Sequence, residues 1–145
     1  MDLESRMRLE RDATAVEELL ASTGGRLEHR PDDPDGLYWA VIQPSDISRS
    51  PFVVRLLWTV YPQRPPSLLF ATAVGGPTNS PTAWPVAAGY RAPNDVCKPF
   101  TAEGQGLHPE WAAGPHAWRS VGNPFLFVVD TVQGDIDRVG GERVA

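Results

Sequence analysis

Cys97 is the only cysteine in this 145-residue chain, and the residue after it, Lys98, is the only lysine, against 12 arginines. A thiol is the side chain best suited to act as a nucleophile near neutral pH, and it acts as the thiolate. At an ordinary pKa of about 8.5, a few per cent of it is ionised at pH 7. An adjacent ammonium stabilises that anion, which gives Lys98 a tuning role. A lone amine beside a lone thiol also suits a protein that must avoid modifying itself. The competing reading of a lone cysteine is a small apolar filler of the core. The polar neighbours Asn94, Asp95 and Lys98 argue against deep burial, although Asn94 and Asp95 can equally form a simple Asx turn after Pro93.

Other chemistries find less support. One cysteine and three scattered histidines, His29, His108 and His116, lack the spacing of a metal site. No metal and no cofactor is expected. The net charge of −5 opposes nucleic-acid binding, which needs a basic patch. An unpaired cysteine gives no sign of an oxidising compartment. The charged opening from Asp2 to Arg11 does not read as a signal peptide. No run reaches the roughly 20 apolar residues of a membrane span. A cytoplasmic protein without membrane partners is the expectation, folded as one domain over residues 1–145.

The elements that must position Cys97 follow from hydrophobic periodicity. Residues 2–23 predict a helix with Leu9, Ala13, Val16 and Leu20 on one face. Asp2–Arg6 and Glu4–Arg8 are spaced for ion pairs on its exposed side, and Gly24-Gly25 ends it. Strands are predicted at 26–30, 37–43, 52–60 and 67–72, from runs of aromatic and branched residues. Tyr61-Pro-Gln-Arg-Pro-Pro66 breaks the sheet, because proline gives no donor. Residues 74–122 show no period and read as an irregular segment that packs through Trp84, Tyr90, Trp111 and Trp118. Asn123 and Pro124 open a last helix whose apolar stripe is Phe125, Val128, Val129, Val132, Ile136 and Val139. The fold class is α+β: a helix, a four-stranded antiparallel meander, an irregular segment holding Cys97, and a C-terminal helix packed on the sheet.

This order, with the Tyr61-Pro62-Gln63-Arg64-Pro65-Pro66 turn and a cysteine 31 positions after Pro66, resembles the ubiquitin-conjugating enzymes in a divergent bacterial form. Leu37–Ile42 and Phe52–Leu57 look like that family's second and third strands. The resemblance runs from residue 1 to about 139. It implies a transferase that accepts a ubiquitin-like protein from an activating enzyme as a thioester on Cys97, then passes it to an amine on a target protein. It further implies a bacterial conjugation pathway, of the kind used in antiphage defence. The first helix, through Arg6, Arg8 and Arg11, would meet the activating enzyme.

Such chemistry needs a donor for the tetrahedral oxyanion and a base for the incoming amine. Asn94 and His108 are the candidate donors, and His108 or Asp95 the candidate base. The family's His-Pro-Asn motif has no clear counterpart, Lys98 replaces an aliphatic residue, and its last helices are not represented. These departures keep a second reading open: a catalytically inactive module of the same fold that binds a ubiquitin-like protein or an activating enzyme. A scaffold of unrelated fold is a third. Gly140-Gly141 is similar to the tail of a ubiquitin-like protein, but the helix-first order of elements is not.

Overall fold

The computed structural model describes residues 1–145. Leu3–Ser22 forms α1, capped by Asp2, whose carboxylate accepts from the Ser5 amide at 2.8 Å. At the other end the Gly25 amide bonds the Leu20 carbonyl and the Gly24 amide the Ala21 carbonyl. Gly24 has φ of 90°, the left-handed conformation that closes a helix and that glycine adopts without steric cost. Leu9, Ala13, Val16 and Leu20 are buried, as their spacing predicts. The expected Asp2–Arg6 and Glu4–Arg8 pairs do not form. Asp2 is committed to the cap, and Arg6 approaches Glu10 and Asp35 at 4.0 and 3.8 Å instead.

Four strands follow: β1 (Arg26–Glu28), β2 (Leu37–Ile42), β3 (Phe52–Leu57) and β4 (Ser67–Ala71). They pair antiparallel in chain order. In β3 the period of two is plain: Phe52, Val54 and Leu56 turn into the core, while Val53, Arg55 and Leu57 face out. β3 stops three residues earlier than the apolar run suggests. Trp58 leaves the sheet to pack edge-on against Tyr61 and Phe125, at 4.8 and 5.5 Å between ring centres.

Pro124–Arg138 forms the last helix, α3, with the Asn123 side chain accepting from the Leu126 amide at 3.0 Å. Its Phe125, Val128, Val129, Val132 and Ile136 join α1 and the inner sheet face in one core. A buried polar tie locks the two helices to the proline turn. The Tyr61 hydroxyl donates to Asp12 at 2.6 Å and accepts from the Phe125 amide at 3.3 Å, and Asn123 donates to the Asp12 carbonyl at 3.0 Å. The architecture is α+β.

Residues 74–122 hold more structure than their lack of period suggests. Tyr90–Arg91 (β5) and Asp95–Val96 (β6) pair as a small hairpin, and Ala102–Leu107 is a short helix, α2. Single 3-10 turns occupy Pro81–Ala83 and Pro109–Ala112. The unit is bolted to the free edge of β4. The Ala102 amide donates to the Pro66 carbonyl at 2.8 Å, and Glu103 accepts from the Leu68 amide at 3.1 Å and from the Ser67 hydroxyl. An edge strand's unpaired donors need such cover.

Candidate active site

Cys97 is the residue immediately after β6. Val96 before it is fully buried, so strand alternation turns Asp95 and Cys97 to the opposite, outer side. Both are half-buried, and the thiol is free. The expectation that Cys97 is not a core filler agrees with this placement.

The backbone around the thiol is held from three directions. The Cys97 amide donates to the Gly89 carbonyl at 2.7 Å. Thr101, fully buried, caps α2 by accepting from the Gly104 amide at 2.9 Å, while its hydroxyl donates to the Val96 carbonyl. Loss of such a cap costs helices about 1 kcal/mol. Gly104 lies flat on Lys98: a β-carbon built there would stand 2.0 Å from the Lys98 carbonyl oxygen. Gly89 is constrained twice over, by φ of 83° and by a β-carbon position 2.9 Å from Lys98 Cε and 3.0 Å from the Cys97 carbonyl.

Lys98 points away from the outer side. Its Nζ lies 5.7 Å from the centre of the Tyr90 ring, within range of a cation–π attraction. Its stem lines a small cleft with Asp135 and Arg138 of α3. Tyr90 donates to Asp135 at 2.7 Å, and Arg138 occupies the other carboxylate oxygen at 2.7 Å. Burial first, and then the bond to Asp135, push the Tyr90 phenol far above its usual range.

The other expected site residues divide. Asp95 is held by Arg91 through two 2.7 Å bonds across the hairpin. Those bonds, and after them the nearby Cys97 charge, raise the Arg91 guanidinium above its ordinary value. Arg91 therefore belongs to the surroundings of the thiol. No motif marks it in the sequence, because only the hairpin folds it back beside Asp95. Asn94 sits exposed in the hairpin turn, its amide N–H bonded to the Arg91 carbonyl at 2.7 Å and its side chain without a partner in the chain.

His108 ends α2, the helix that starts beside Lys98. Its Nδ1 meets Glu110 at 2.8 Å and its ring stacks on Trp111 at 4.0 Å. The hydrogen bond from His108 holds Glu110 below the usual carboxylate range. An ionised carboxylate only accepts, so Nδ1 carries a proton, and in the neutral form of the ring Nε2 keeps its lone pair. Neither contact of His108 involves Cys97. Glu110 is a partner that sequence reasoning passed over, although its position two residues after His108 was visible.

No protein-family model and no curated protein matches this sequence. The chemistry of the site rests on its own residues. They supply one free, half-buried cysteine on a fixed backbone, one free amide and one carboxylate-oriented imidazole. Glu4, Arg8 and Arg11 line a separate shallow groove of about 480 Å³ on α1 with the exposed Leu3 and Met7, whereas Arg6 turns to Glu10 and Asp35. No helix is long and apolar enough to cross a membrane.

Proposed function

We propose that this chain is an acyl carrier of the ubiquitin-conjugating type, active in the cytoplasm within a bacterial conjugation pathway. The observation that carries the reading is the half-buried Cys97 thiol on the outer side of a pinned hairpin. The reading rests also on the resemblance in the order of elements. The Cys97 thiolate attacks the thioester that joins a ubiquitin-like protein to its activating enzyme. The activating enzyme's sulfur leaves as a thiolate, and the acyl group rests on Cys97 as a new thioester. A target amine then attacks the acyl carbon, an amide bond forms as the C–S bond breaks, and the Cys97 sulfur leaves as a thiolate. Asn94 is the donor for the oxyanion, and His108 Nε2 takes the amine proton, with Glu110 orienting the ring. The groove of Leu3, Met7, Arg8 and Arg11 is the surface for the activating enzyme.

One observation favours the second reading, an inactive binding module: both Asp95 oxygens accept from Arg91, which makes Asp95 a weaker base for an amine. The test mixes the protein with a bacterial ubiquitin-like protein, its activating enzyme and ATP, followed by a non-reducing gel. The expected result is a thiol-sensitive adduct that Cys97→Ala abolishes and Cys97→Ser converts to a thiol-resistant ester. Binding without any adduct would establish the inactive module instead.

A further inference from the structure

A pocket of about 280 Å³ opens two residues beyond the thiol. Its walls are Pro99 and Phe100 from the Cys97 segment, Pro115, His116 and Arg119 from the following loop, and Phe127 from the start of α3. Successive residues of a chain are 3.8 Å apart, so Pro99 lies within about 7.6 Å of Cys97 between Cα atoms. Gln105 fixes the two walls to each other, its amide donating to the Pro99 carbonyl at 2.8 Å and to the His116 carbonyl at 2.9 Å. The pocket is therefore braced rather than a gap between loose loops.

Its chemistry is specific. Phe127 is 56% exposed on the first turns of a helix whose other aromatic, Phe125, is fully buried. Arg119 is exposed and makes no ion pair or hydrogen bond within the chain. In a protein of net charge −5, no carboxylate lines this pocket; Asp130, one helical turn beyond Phe127, lies outside the lining. An apolar hollow with an unpaired guanidinium at its rim matches a bulky apolar side chain followed by a carboxylate. The chain's only lysine, Lys98, turns its amine to the Tyr90 ring, so the pocket is left open to an amine carried by another molecule.

We infer that this pocket seats an extended segment of the acceptor protein, with an apolar side chain against Phe127 and Phe100 and an acidic side chain on Arg119. The inference rests on the Cys97 carrier reading for its meaning, but its test needs no activating enzyme and no thioester. Isotope-labelled Cys97→Ser protein is titrated with the peptide acetyl-Lys-Phe-Gly-Glu-amide and with its Gln counterpart, and amide shifts are followed by NMR. Saturable shifts are expected at Phe100, Ala117, Arg119 and Phe127. The Glu peptide is expected to bind about three- to five-fold tighter than the Gln peptide, as one exposed charge pair allows. Arg119→Gln should remove that difference, and Phe127→Ser should weaken both peptides. Equal affinity for the two peptides on the parent protein, or shifts that avoid the pocket, would overturn the inference. So would shifts of these amides that depend on protein concentration alone, since they would assign the pocket to a second copy of the chain. A failed gel assay with peptide binding intact would instead count against the carrier reading alone.

Discussion

The Cys97 amide donates a 2.7 Å hydrogen bond to the carbonyl of Gly89, a glycine in the left-handed region with φ of 83°. This one bond places the thiol at the exit of a two-residue ladder rather than on a free loop. The left-handed turn at Gly89 brings its carbonyl to the Cys97 amide, and Thr101 and Gly104 then close the segment from the other side. A nucleophile held on a fixed backbone gives up less orientational freedom when it meets its reactant.

Gly104→Ala tests this clamp. The new β-carbon would meet backbone atoms of Lys98 at 2.0 to 2.7 Å, with no flexible side chain to give way. Overpacking of this kind costs about 1–3 kcal/mol. The melting temperature is expected to fall, and Cys97 is expected to react faster with a disulfide reagent as its segment lifts off α2. Unchanged thermal stability together with unchanged thiol reactivity would show that the clamp does not hold the site.

The charges beside the thiol make a second prediction. Arg91 and Asp95 bring opposite charges to the surroundings of the thiol, so removing one and removing the other should move its reactivity in opposite directions. Asp95→Asn is expected to speed alkylation of Cys97 by iodoacetamide at pH 7, and Arg91→Gln to slow it. Arg91 is exposed and Asp95 half-buried, and each effect should be about two- to three-fold and should shrink as salt is added. Rates that move together, or that ignore salt, would remove the pair from the site.

How much of this was legible in the sequence depends on the range of the interactions. The α1 stripe, the Asn123 cap and the four main strands rest on local periodicity and local chemistry, and they stand where the residues put them, give or take their ends. β5, β6 and α2 do not announce themselves. Two-residue strands are too short to show alternation, and the Ala-Glu-Gly-Gln-Gly-Leu run of α2 carries two glycines that oppose helix. It forms because Thr101 caps it and Glu103 anchors it to β4. Cys97 was evident as the only thiol. Gly89, Arg91 and Gly104 were not, because their parts depend on long-range backbone approach that no spacing encodes.

Alkaline pH should unfold the protein through its tyrosines. All three have phenols raised above the ordinary value: burial first pushes Tyr38 up to about 12, and burial with carboxylate bonds pushes Tyr61 and Tyr90 further. The unfolded chain releases those protons from about pH 10, whereas the folded chain retains them. Stability from this source is complete below pH 10 and is lost above it, by about 1.4 kcal/mol per pH unit for each tyrosine. Urea midpoints at pH 9, 10 and 11 are expected to hold and then fall. Phenolate absorbance should rise in step with loss of helix signal, and a gradual rise in a still-folded protein would contradict the burial argument.

On the proposed carrier reading, release of the acyl group from Cys97 turns on His108. Glu110 is bonded to His108 Nδ1 at 2.8 Å, which fixes the tautomer that leaves Nε2 able to accept a proton. If that nitrogen relieves the attacking amine of its proton, His108→Ala should slow discharge of the Cys97 thioester to lysine by about 10²-fold, the low end for such catalysis. Formation of the thioester needs no amine deprotonation and should be nearly unchanged. Glu110→Gln should give a smaller loss and alter the pH profile of discharge, since a neutral amide holds the imidazolium less well than a carboxylate does. Both rates come from single-turnover gels over a pH series. Discharge at parent rates in His108→Ala would assign the His108–Trp111 stack to packing alone and leave the proton to solvent.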